Sequence, residues 1–100
     1  MKTNTVKVIF RKEYPERGGE IIAIFPELPG DSNPHRTCLS YVHLGQHGAI
    51  TLDYHEFTFP AQPSQYASLK AELESIGYNL RVCHRMTRGD LQARIKACKA

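Results

Sequence analysis

The stretch that decides the fold is Val6-Lys7-Val8-Ile9-Phe10-Arg11-Lys12-Glu13-Tyr14, followed by Pro15-Glu16-Arg17-Gly18-Gly19 and then Glu20-Ile21-Ile22-Ala23-Ile24-Phe25. In the first run Val6, Val8, Phe10 and Tyr14 share one parity, while Lys7, Arg11 and Glu13 share the other. A period of two predicts a half-buried β-strand. The middle run supplies turn chemistry, because glycine adopts positive φ without steric penalty. The last run is apolar on both parities, which predicts a strand covered on both faces. Together they predict a β-hairpin, so the chain is built on antiparallel pairing.

Outward from this hairpin, Pro26, Pro29, Gly30, Asp31, Asn33 and Pro34 exclude regular structure, and a third strand is expected over Thr37 to Leu44. Residues 49–59 alternate through Ile50, Leu52 and Tyr54, then slip phase to Phe57 and Phe59. That slip predicts either a β-bulge or two short pieces. Tyr54, Phe57 and Phe59 at a strand edge would allow a homodimer by strand addition. Pro63 suits the first turn of a helix, and Tyr66, Leu69, Leu73 and Ile76 form its apolar stripe, with Gly77 ending it. Leu80, Val82 and His84 predict a short strand with Arg81, Cys83 and Arg85 on its other face. Thr87-Arg88-Gly89-Asp90 has the spacing of a capping box, and Leu91, Ile95 and Cys98 give the last helix its stripe. The expected fold class is α+β: a mostly antiparallel sheet of three to five strands with two helices packed on it, in the order β-β-β-(β)-α-β-α.

The 100 residues make a single domain with one modest core. Three cysteines, Cys38, Cys83 and Cys98, cannot all pair within one chain, and no run approaches the ~18 apolar residues of a membrane span. These features predict a cytoplasmic protein in a reducing compartment, without membrane association. The formal net charge of +3 is unevenly placed. Arg81, Arg85, Arg88, Arg94, Lys96 and Lys99 face Asp90 alone in the last quarter, whereas acids outnumber cations in the rest. A basic block of this kind predicts engagement of nucleic acid or of an acidic protein complex through those six side chains. The competing reading is a solvated terminal helix with Lys96 and Lys99 near the negative end of its dipole.

The segment Tyr41-Val42-His43-Leu44-Gly45-Gln46-His47-Gly48 concentrates polar groups between glycines. Tyr41, His43, Gln46 and His47 are the candidate ligand-binding residues for a nucleotide or small molecule, with backbone N–H groups of the Gly45–Gly48 loop as an anion cradle. The competing reading is a tight turn that needs glycine at positive φ. His35, Cys38, His43 and His47 have spacing that resembles a zinc knuckle and are the candidate metal ligands, although Cys38 and His43 differ in parity. No other cofactor is expected. Cys38 or Ser40 with His43 or His47, oriented by Asp53 or Glu56, is the nearest approach to a nucleophilic dyad, and no nucleophile elbow is present. The sequence therefore points to a binding protein more than to an enzyme.

Three blocks, Gly19–Glu27, Ser40–Gly48 and the spaced set Tyr66, Leu69, Glu72, Leu73, Gly77 to Val82, resemble a family of small uncharacterised proteins of phages, plasmids and other mobile elements. The resemblance covers most of the chain. It implies an accessory protein acting in a bacterial cytosol, with regulation of the element or inhibition of host defence as the expected context.

Overall fold

The computed structural model describes residues 5–42, 46–53 and 58–99. The strands are β1 (Val6–Glu13), β2 (Ile21–Phe25), β3 (Thr37–Val42), β4 (Gln46–Thr51), β5 (Thr58–Pro60) and β6 (Leu80–Val82). The helices are α1 (Pro63–Ser75) and α2 (Arg88–Lys99). The fold is α+β, with sheet order β4-β3-β2-β1-β5 and β6 also paired to β1. The hairpin forms as its alternation dictates, with Lys12 opposite Ile21 and Phe10 opposite Ala23. Its loop holds a 3₁₀ turn at Pro15–Arg17, followed by Gly18 at φ 113° and Gly19 at φ 66°. The run with the phase slip between Tyr54 and Phe57 holds two separate strands, β4 and β5. β4 pairs with β3 and β5 pairs with β1, at opposite ends of the strand order. Tyr54 and Phe57, named above as edge aromatics, lie outside the described residues.

The outer edge of β1 is divided between two strands. β6 runs parallel to its first half, with Val6 opposite Leu80 and Val8 opposite Val82. β5 runs antiparallel to its second half, with Arg11 opposite Pro60 and Glu13 opposite Thr58. The two meet end to end near Ile9: Cys83 N–H donates to the Val8 carbonyl (2.9 Å), and Ala61 N–H donates to the Phe10 carbonyl (3.2 Å). Two short strands on one edge leave a break in the ladder at their junction.

Successive side chains of a strand point to opposite faces, so the sheet carries two cores. On one face Val8, Phe10, Ala23, Phe25 and Tyr41 pack with Leu69 and Leu73 of α1. On the other, Ile9, Ile22, Ile24 and Cys38 form a second cluster with Met86, Val42 and Ile50 against it. α1 begins with Pro63 at its first position and a capping box between Gln62 and Gln65. It ends in a Schellman motif: Tyr78 N–H donates to the Leu73 carbonyl and Gly77 N–H to the Glu74 carbonyl, with Gly77 at φ 114°. That motif turns the chain so that Tyr78 stacks on Phe25 at 5.0 Å. Ile76, expected on the apolar stripe, is instead 54% exposed, because it is the capping residue and the helix has already ended.

Candidate nucleic-acid interface

The orientation of α2 depends on its two buried charged side chains. Thr87 N–H donates to the Asp90 carboxylate (2.7 Å), which supplies the cap at the helix start. The same carboxylate takes both its oxygens to Lys7 Nζ on β1, at 2.9 and 3.1 Å. One turn later, Arg94 donates to the carbonyls of Pro26 (2.5 Å) and Pro34 (2.8 Å). Asp90 and Arg94 are each 3% exposed. A buried charge needs an opposite charge or hydrogen-bond partners: Asp90 has the Lys7 ammonium, and Arg94 has two backbone carbonyls.

This overturns two expectations. The inward face of α2 is centred on Asp90 and Arg94, while Leu91 and Ile95 are half-buried and Cys98 is exposed. Arg94 is therefore an internal clamp on two carbonyls, closed to a partner on the surface. The helical spacing of Leu91, Ile95 and Cys98 misplaced the stripe because the anchoring groups, Asp90 and Arg94, are charged.

At 3.6 residues per turn, Arg88, Gln92 and Lys96 fall on the face opposite Asp90 and Arg94, and all three are exposed. The helix's sole acid is the inward Asp90. Arg88 and Lys96 make no hydrogen bond or ion pair among the described residues, and the same is true of Arg85. The remaining two members of the predicted set differ. Arg81 is exposed but paired with Glu27 (3.3 Å) and hydrogen-bonded to Thr5 (3.2 Å). Lys99 closes α2, and its side chain lies outside the described atoms. Arg81 and Arg85 do not share a strand face, because β6 stops at Val82.

Arg85 instead reaches a cleft at the break in the β1 edge. Ile9, Ile24 and Met86 form its apolar floor, and Arg11, His84 and Arg85 line the rest, around a cavity of about 300 Å³. Arg11 is held in place by Thr58, with Nε donating to Oγ1 (3.0 Å) and a second guanidinium nitrogen donating to the backbone carbonyl (2.6 Å). Burial pulls the Arg11 pKa down from its ordinary value, but a guanidinium stays charged at physiological pH. Among the described lining residues there is no carboxylate. Residue-by-residue reading missed Arg11 and Lys7 as functional groups. A strand read as half-buried places both on its solvent face, and only the second cluster around Ile9 shows that this face is covered too.

The histidine-rich segment resolves differently from its ligand-site reading. Tyr41 and His47 stand directly opposite each other in the β3–β4 pairing, and their rings meet edge-on at 4.7 Å. Tyr41 is 2% exposed and its hydroxyl donates to Glu72 of α1. His47 Nε2 lies 2.9 Å from the Tyr78 hydroxyl, and burial pushes the Tyr78 phenol up. Tyr41 is thus committed to the sheet–helix interface. Gln46, His47 and Gly48 belong to β4, in register with Val42, Tyr41 and Ser40, so the segment continues as strand where an anion cradle had been expected. Gly48 has ordinary strand geometry, with φ outside the positive range. His43 and Gly45 lie outside the described residues, as does the Gln46 side chain.

The metal and nucleophile sets are separated by the same pleat. Cys38 is fully buried in the cluster on the α2 side, whereas His47 is on the α1 side with Tyr41, so the two cannot share an ion. His35 is exposed in the loop before β3. Among the described residues no group of three potential ligands converges. Burial pushes the Cys38 thiol up to about 11, which keeps it protonated and unreactive. Ser40 donates to the Gly48 carbonyl (3.0 Å) on the face away from His47. Among the described residues no helix is long and apolar enough to cross a membrane. Comparison with family models, curated proteins and solved structures finds no match for this chain.

Proposed function

We propose that this protein is a nucleic-acid-binding module whose contact surface is the outward face of α2, Arg88 and Lys96, continued by Arg85 in the segment that leads into the helix. Arg81 lies at the margin, tempered by Glu27. The observation that carries this reading is the inward rotation of Asp90 onto Lys7. The helix thereby hides its one acid, and its exposed residues, Arg88, Gly89, Gln92, Lys96, Ala97 and Cys98, include cations and no carboxylate. α1, on the opposite face of the sheet, has Glu72 and Glu74 with the single cation Lys70, and Lys70 is paired to Glu74 at 2.9 Å. Charge is thus segregated between the two helical layers. A cationic layer facing one way favours a polyanion through counterion release, without requiring any base to be read.

The test is binding of labelled DNA and RNA across a salt series. Three phosphate contacts from Arg85, Arg88 and Lys96 give a slope of log K on log salt of about −2 to −3. Arg88→Glu with Lys96→Glu should abolish binding while the melting temperature holds. Salt-independent binding, or a charge-reversed variant that binds as before, would overturn the reading. Equal competition by polyglutamate would assign the surface to acidic proteins instead.

A further inference from the structure

We propose that the cleft at the β5–β6 junction receives a single unpaired base, making this a binder of single-stranded nucleic acid. The inference rests on the polyanion reading of α2 and names the form of its ligand.

Three observations converge on the cleft. Its floor is apolar, built from Ile9, Ile24 and Met86. Its ionisable lining among the described residues consists of Arg11, His84 and Arg85, so it favours a ligand that joins an apolar ring to negative charge. At about 300 Å³ it is at the small end of ligand cavities. A base stacked and paired inside a duplex cannot enter such a recess, whereas an unstacked base can be turned in and read on its faces and edges.

Position supplies the rest of the argument. The cleft is walled by residues 84–86, and α2 begins at Arg88. Arg85 and Arg88 are three residues apart, within ~11 Å along the chain. A strand that turns one base onto Ile9, Ile24 and Met86 keeps its neighbouring phosphates beside these two guanidinium groups. Arg11, which lines the cleft, is held in place by Thr58. His84 and Arg85, which line the cleft, carry flat, polar π-systems of the kind on which bases stack.

The experiment compares a short single-stranded DNA carrying one 2-aminopurine, the same strand with an abasic site at that position, and the corresponding duplex. The expected result is at least tenfold tighter binding of the single strand than of the duplex and a change in 2-aminopurine emission on binding. Both the abasic substitution and Arg85→Ala should weaken single-strand affinity several-fold. Met86→Glu, which puts a carboxylate on the cleft floor, should do the same without changing the duplex affinity. Arg85 is exposed, so Arg85→Ala remains informative if Met86→Glu does not fold. Equal affinity for single strand and duplex, with unchanged emission, would overturn the cleft proposal and leave the α2 surface standing. Absence of salt-dependent binding to either would overturn both.

Discussion

Lys7 on the first strand and Asp90 on the last helix lie 83 residues apart and form an ion pair of 2.9 Å that is almost wholly buried. The pair joins β1 to α2 and decides which side of α2 meets solvent. Removing one partner leaves the other charge buried and uncompensated, at about 3–5 kcal/mol. Lys7→Met and Asp90→Asn should each destabilise by that order in urea unfolding, a shift of roughly 4–8 °C per kcal/mol at this chain length. The double variant Lys7→Met/Asp90→Leu should recover most of the loss. Single variants within experimental error of the parent would show that the pair does not anchor the helix.

Arg94 and Arg88 belong to one helix and should behave as opposites. Arg94→Ala removes donors from the Pro26 and Pro34 carbonyls, so it should lower stability and reduce hydrogen-exchange protection in α2 before the sheet. Arg94→Lys should rescue only partly, because an ammonium lacks the planar fork that reaches both carbonyls. Arg88→Ala should leave the melting temperature unchanged and reduce the salt slope by about one. Equal effects of the two on stability would contradict the burial difference.

Cys38 provides a pH-dependent signature. Its folded pKa is raised from 9.0 to about 11, so at intermediate pH the unfolded chain releases a proton that the folded one keeps. Its contribution to stability is complete below pH 9 and is lost as pH rises through about 11. The loss attributable to this group is about 2–3 kcal/mol. Cys38→Ala should flatten that part of the profile. At pH 8, a thiol reagent should modify exposed Cys98 and half-buried Cys83 while Cys38 reacts only at the unfolding rate. Rapid modification of all three in the native protein would refute the burial of Cys38.

Two glycines should differ in how substitution harms the fold. Gly77 has open space around it and φ 114°, so Gly77→Ala carries only the conformational penalty of the left-handed region, about 1–2 kcal/mol. Gly30 has no positive φ, but an added Cβ would collide with the Cys38 carbonyl and with Ala49. Gly30→Ala should therefore displace the loop from the β3–β4 pair and destabilise more. Thermal unfolding of the two variants checks the order.

Much of the scaffold could be read directly from local pattern. Alternation marked β1 and β2, Pro63 and Gly77 bracketed α1, and Thr87 with Asp90 marked the start of α2. Each rests on interactions between residues near in sequence, such as the Schellman bonds from Gly77 and Tyr78. The phase slip between Tyr54 and Phe57 pointed to a bulge or two short pieces, but it did not reveal that β4 and β5 lie at opposite ends of the strand order.

The candidate site was legible only in composition. The sequence by itself determined the basic terminal block, the two apolar strands of the hairpin and the absence of a long apolar span. Only the tertiary structure decided that Arg94 turns inward while Arg88 and Lys96 face out, and that Arg85 and Arg11 line one cleft with Ile9 and Ile24. It also decided that Tyr41 is occupied by Glu72. The physical reason is that a charged side chain takes its orientation from the partner that satisfies it. Those partners, Lys7 for Asp90 and the Pro26 and Pro34 carbonyls for Arg94, are brought close by strand order and helix docking across long sequence separations, which local periodicity does not encode.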